Sequence, residues 1–279
     1  DRVKPVVLAT RTDGGVSFLD RSQRIFEIES GGTVPRFIAC LPDELAAVDD
    51  VIGVAGTGEV AWVAGTMRGY GKKADEIRVG VTRLGVGDRG IEALARSLPK
   101  GFESSAAAFD LDRSRLFVAR LGEAFVDVVD LTRKELVPEP VLEIESSDPL
   151  RLLAYDPDRD RLFGSDGKAN LIVAELATTP ATVTMLASDL DLPSAVAYDR
   201  QRRRLYLTTA GDGALWKVEC ESTCGAPQRL AASREVTHPR ALAVDATGVV
   251  WVGDLEAGIL AGISPEGEVV RRIEQLPEG

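Results

Sequence analysis
Four segments of the chain fall into one register: "AAFDLDRSRLFVAR" (107–120), "LAYDPDRDRLFGSD" (153–166), "VAYDRQRRRLYLTT" (196–209) and "LAVDATGVVWVGD" (242–254). Each runs apolar-Ala-apolar-Asp, then a polar turn, then an apolar strand. The aspartates are Asp110, Asp156, Asp199 and Asp245, separated by 46, 43 and 46 residues. A period in the forties built from short strands is the signature of propeller blades. A constant offset of 234 residues lays 15–30 on 249–264 without a gap, with Asp20 on Asp254. "VIGVAGTGEVAWVAG" (51–65) supplies one more repeat, with Trp62 opposite Trp251. The expectation is an all-β, six-bladed β-propeller with four antiparallel strands per blade, forming one domain over 1–279. Blade limits are expected near 5–41, 44–100, 102–146, 148–190, 192–234 and 237–276. Residues 90–99 have helical apolar spacing, but the repeat predicts an outer strand there. The last blade is expected to close on the first with no strand exchanged between the termini.

The repeat also decides what "DPDRDR" is. Its three aspartates are spaced like the start of an EF-hand loop, yet Arg161 stands where that loop needs glycine and Gly167 where it needs glutamate. A hairpin turn capped by Asp is expected, and Asp156→Ala is expected to cost a cap's worth of stability, about 1–2 kcal/mol. The net charge of −11 excludes a nucleic-acid partner, whose phosphates need a basic surface. No apolar run approaches the ~18 residues of a membrane span, so no membrane insertion is expected.

The repeats "PRALAVDATGVVWVGD" and "PSAVAYDRQRRRLYLTTAGDGALWKVE" resemble NHL-type and related bacterial six-bladed propellers. That resemblance specifies architecture more than activity, because such blades carry receptors, scaffolds, lactonases and lyases alike. Propeller lactonases hold an axial divalent metal with glutamate, asparagine and aspartate. The only asparagine here is Asn170, so that ligand set cannot be reproduced, although carboxylates could build another. Streptogramin-lyase-like and quinone-dependent relatives need several histidines, and His238 is the only one. No phosphate loop or nucleophile elbow is present. Cys220 and Cys224 lie in "WKVECESTCGAPQRLAAS", at a turn where similar secreted repeats carry a cysteine pair. A short-loop disulfide is expected over free thiols, with an oxidising, extracytoplasmic compartment following from it. Cys40 reads as a buried strand residue.

A ligand is expected on the face formed by inter-blade loops and by second-to-third-strand loops. Five residues before each key aspartate stand Ser105, Arg151, Ser194 and Arg240, with His238 just before the last. The turns after the second strands bring Asp20, Arg120, Asp166 and Asp254. The loop 65–76, "GTMRGYGKKADE", adds Arg68, Tyr70, Lys72 and Lys73, a basic patch on an acidic protein. Two guanidinium forks suit carboxylate or phosphate groups. The expected function is a non-catalytic, monomeric binding scaffold for a protein, glycan or small anionic ligand. The alternative is a metal-assisted hydrolase or lyase with an all-carboxylate axial site, calcium being the possible ion.

Overall fold
The computed structural model describes residues 5–11, 13–40, 51–56, 60–68, 77–87, 90–144, 148–230 and 236–275. All regular structure among them is strand. The first sheet holds β1 (Pro5–Thr10), β2 (Val16–Asp20), β3 (Arg24–Ile28) and β4 (Arg36–Cys40). The second holds β5 (Val51–Gly56), β6 (Val60–Arg68), β7 (Ile77–Gly87) and β8 (Gly90–Ser97). The third holds β9 (Ser104–Asp110), β10 (Arg115–Arg120), β11 (Phe125–Asp130) and β12 (Pro138–Glu143). The fourth holds β13 (Leu150–Asp156), β14 (Arg161–Asp166), β15 (Leu171–Glu175) and β16 (Thr182–Ala187). The fifth holds β17 (Pro193–Asp199), β18 (Arg204–Thr209), β19 (Ala214–Glu219) and β20 (Gln228–Arg229). The last holds β21 (Pro239–Val244), β22 (Val250–Asp254), β23 (Ile259–Ile263) and β24 (Val269–Ile273).

Every sheet is an antiparallel meander in chain order. First strands pack on first strands around the axis, from β1 through β5, β9, β13, β17 and β21 back to β1. Closure between first and last sheets uses whole sheets: the Ala246 N–H donates to the Gly14 carbonyl and the Val244 N–H to Thr10 Oγ1.

The expectation of a six-bladed propeller is corrected. Five blades of four short antiparallel strands carry the repeat, and the second sheet departs from it. Its β6 and β7 run for 9 and 11 residues, whereas the third strands of the five regular blades have 5 or 6. The physical reason lies in the expected 65–76 loop. Gly65 to Arg68 continue β6 and pair with Ile77 to Gly80, so part of the supposed loop is ladder. Tyr70, Lys72 and Lys73 lie outside the described residues. Residues 90–97 form a strand, so pairing with β7 overrides the helical spacing there.

Apolar side chains are buried between neighbouring sheets, which is why many strands read as continuous rather than alternating apolar runs. Phe18, Phe26 and Trp251 fill the seam between first and last blades. Phe117 and Tyr155 fill the seam between the third and fourth blades, and Phe163 and Leu207 the seam between the fourth and fifth. Cys40 is exposed, correcting its expected burial: it ends the outermost strand of the first blade, where no neighbouring sheet covers it.

Candidate functional site: the mouth of the central channel
The first strands enclose an axial cavity of about 380 Å³, lined by β1, β9, β13, β17 and the start of β21. Its wall is mostly Ala, Val and Leu, because small residues are what converging innermost strands accommodate. At one end stand Ser105, Arg151, Ser194 and Arg240, brought together from four successive blades. Among the described lining residues the two arginines are the only charged groups.

The serines are committed to the wall. Ser105 Oγ donates to the Leu150 carbonyl, and Ser194 Oγ is within 3.0 Å of Thr208 Oγ1. Arg151 and Arg240 are exposed, and no hydrogen bond or ion pair engages them. They are unusual in this. Other described arginines are held: Arg120 by Asp127 and Glu123, Arg161 by Asp156, and Arg204 by Glu219.

The opposite end of the channel is built differently. A second cavity of about 420 Å³ shares Thr10, Phe109, Tyr155 and Tyr198 with the first. There Arg200, from the β17–β18 turn, reaches Asp158 in the β13–β14 turn (2.6 Å) and Asp112 in the β9–β10 turn (2.7 Å). The hydrogen bond from Arg200 leads in holding Asp158 below the ordinary carboxylate range, and Asp158 in turn raises Arg200. Charge at that end is neutralised within the protein, so free positive charge concentrates at the Arg151/Arg240 end.

Other expected site residues are turn-builders. Asp20 accepts the Ser22 and Arg24 N–H groups and pairs with the Arg24 guanidinium. Asp166 accepts N–H groups of Lys168 and Asn170 and the Asn170 side-chain amide. Asp254 accepts backbone N–H groups from Thr237, His238, Glu256 and Ala257. Burial alone would raise its pKa; those four bonds outweigh burial and lower it. All three carboxylates are buried, and none lines the channel. His238 is exposed, with Nδ1 3.1 Å from Thr237 Oγ1 and 3.3 Å from Glu256, outside the channel lining. Arg68 ends β6.

The aspartates of "DPDRDR" have separate employments. Asp156 takes the Asp158 N–H and the Arg161 guanidinium, Asp158 holds Arg200, and Asp160 accepts from Tyr155 Oη and Arg115. They do not converge on one point. Among the described residues no three His, Cys, Asp or Glu side chains could hold a metal ion. Among the described residues the channel wall offers two guanidinium groups and no carboxylate, the wrong charge for a divalent cation. Cys220 and Cys224 are bridged, with Cα atoms 4.0 Å apart. What sequence reasoning missed is the inter-blade role of the arginines after the key aspartates. The signal was the Arg five residues after Asp110 and Asp156: Arg115 reaches Tyr155 and Asp160, and Arg161 the Cys220 carbonyl, each on the next blade.

The SMP-30/gluconolactonase/LRE-like family model matches residues 156–278, less than half of the chain. No curated protein sequence matches it. Among solved structures, a chain of a nidogen/laminin complex superposes with a TM-score of 0.66 at 13% identity, covering 91% of each chain. A luciferin-regenerating enzyme gives 0.60 at 13% identity, covering 82% of this chain and 77% of its own. A streptogramin B lyase gives 0.60 at 13% identity, covering 91% of each. At such identities the likeness establishes the propeller fold, and its functions range from protein assembly to enzymes.

Proposed function
We propose that the protein is a non-catalytic binding propeller that takes a carboxylate- or phosphate-bearing ligand at the channel mouth, held by Arg151 and Arg240. The carrying observation is the pair of exposed, unengaged guanidinium groups facing a cavity without a single described carboxylate. A guanidinium fork binds planar oxyanions bidentately, and the charge-assisted bonds are roughly twice as strong as neutral ones. The ligand can be a free small anion or the acidic end of a glycan or polypeptide. An extracytoplasmic location accompanies this reading, supported by the Cys220–Cys224 bridge.

The test is isothermal titration of citrate, inorganic phosphate and neutral glucose into wild type and the Arg151→Ala/Arg240→Ala variant. Wild type should bind one or both anions and not glucose, the double variant should bind neither, and affinity should fall with added salt. Equal binding by both proteins would move the site elsewhere. The likeness to the gluconolactonase-type model over 156–278 supports a hydrolase as the second reading. A melting temperature that rises in calcium and falls in chelator would favour it.

A further inference from the structure
The outer rim carries a second binding feature, independent of the channel. Fourth strands are sheet edges, and proteins guard such edges with charge, proline or brevity. Here β4 carries Arg36, β8 Arg96, β12 two prolines and two glutamates, and β24 Arg271 and Arg272, while β20 spans only 2 residues. The edge strand β16, "TVTMLA", has none of these guards. It is also open: Thr182 to Met185 are exposed, Met185 by 58%.

Val183 and Met185 project to the same side of β16, opposite Ala174 and Ile172 of β15. That side forms one wall of a groove of about 930 Å³ between the third and fourth blades, with Val141 and Ile144 on the other wall. Among the described residues the charged groups lining the groove are Glu143 and Asp166, both acidic. Asp166 is spent in its own turn, whereas Glu143 is exposed with no ion pair.

We infer that β16 and this groove receive an extended, cationic segment of a partner polypeptide, which pairs with the open edge as an added strand. Main-chain bonds to β16 would supply affinity, and alternate apolar side chains would enter the groove beside Val183 and Met185. A Lys or Arg further along the same face of the added strand would enter the groove and meet Glu143. Charge selects this occupant over a second copy of the chain, because two molecules of net charge −11 repel one another.

The test uses fluorescence anisotropy with a labelled octapeptide, Thr-Val-Thr-Val-Thr-Lys-Thr-Lys, whose valines and lysines share one face of an extended strand. Two control peptides accompany it: one with Glu for every Lys, one keeping its charge but N-methylated along one edge. The proteins are wild type, Met185→Glu and Glu143→Gln, each shown to melt like wild type. The Val/Lys peptide should bind wild type, and both control peptides should bind at least about tenfold more weakly. Met185→Glu should lose binding although it adds negative charge, Glu143→Gln should weaken it, and amides of 182–187 should exchange more slowly in the complex. Equal binding of the N-methylated peptide, or undiminished binding by Met185→Glu, would reduce the effect to general attraction and overturn the inference. So would a wild-type dimer that Met185→Glu dissociates, since the occupant would then be a second copy.

Discussion

Arg161 is buried to 0% exposure, its Nη2 2.7 Å from Asp156 and also donating to the Cys220 carbonyl. Its ring neighbour is Phe163, and Tyr198 from the next blade stacks on that phenyl at 5.3 Å. Asp156 is therefore more than a turn cap: it is the counter-ion of a charge in a blade seam. Removing one partner of such a pair leaves the other unpaired in low dielectric. Asp156→Ala should cost about 3–5 kcal/mol in urea unfolding, more than the cap value expected from sequence. Asp158→Ala, which breaks only the exposed Arg200 pair, should cost about 1 kcal/mol or less. A larger loss from Asp158 than from Asp156 would refute the seam argument. Asp254 sets a pH dependence. Its folded pKa is lowered, so it stabilises fully above the unfolded value of ~3.9, and that contribution is lost as pH falls through the folded value. Asp254→Asn should therefore melt lower than wild type at neutral pH. The two curves should converge as pH falls through the folded value, as read by melting temperature against pH.

At the scale of elements, the first and last blades meet at Gly14. Its φ is +88°, and an added Cβ would run into the Ala246 side chain across the closure. Gly14→Ala combines a left-handed backbone penalty with overpacking, and should cost about 2–4 kcal/mol by denaturant unfolding. Near-neutral behaviour would mean the closure is looser than described. The Cys220–Cys224 bridge closes a very short loop against Arg159 and Arg161. Opening it with the double serine variant should cost about 2 kcal/mol, near the low end for disulfides. These elements show which parts of the fold were legible. Asp110, Asp156, Asp199 and Asp245 announce their blades because each accepts a backbone N–H of the turn that follows it. The second sheet has Gly56 at that place, and its long β6–β7 ladder has no counterpart in the repeat, so counting by period could not foresee its shape. Cys40 misled because an apolar strand sequence does not say whether a neighbouring sheet covers it.

Across the whole molecule, charge is sorted by position more than by amount. The chain has 33 Lys and Arg against 44 Asp and Glu, yet guanidinium groups at the Arg200 end of the channel and in the seams are spent on carboxylates. Arg151 and Arg240 are left free because no carboxylate lines the described wall at their end. Sequence reasoning reached these two from repeat position alone; it could not tell that Asp20, Asp166 and Asp254 would be buried inside their own turns. The most direct measurement is a crystal structure of the protein grown in citrate. The account predicts one anion at the channel mouth, with carboxylate oxygens within hydrogen-bond distance of both the Arg151 and Arg240 guanidinium groups. A mouth occupied by water alone, with citrate ordered elsewhere on the molecule, would contradict it.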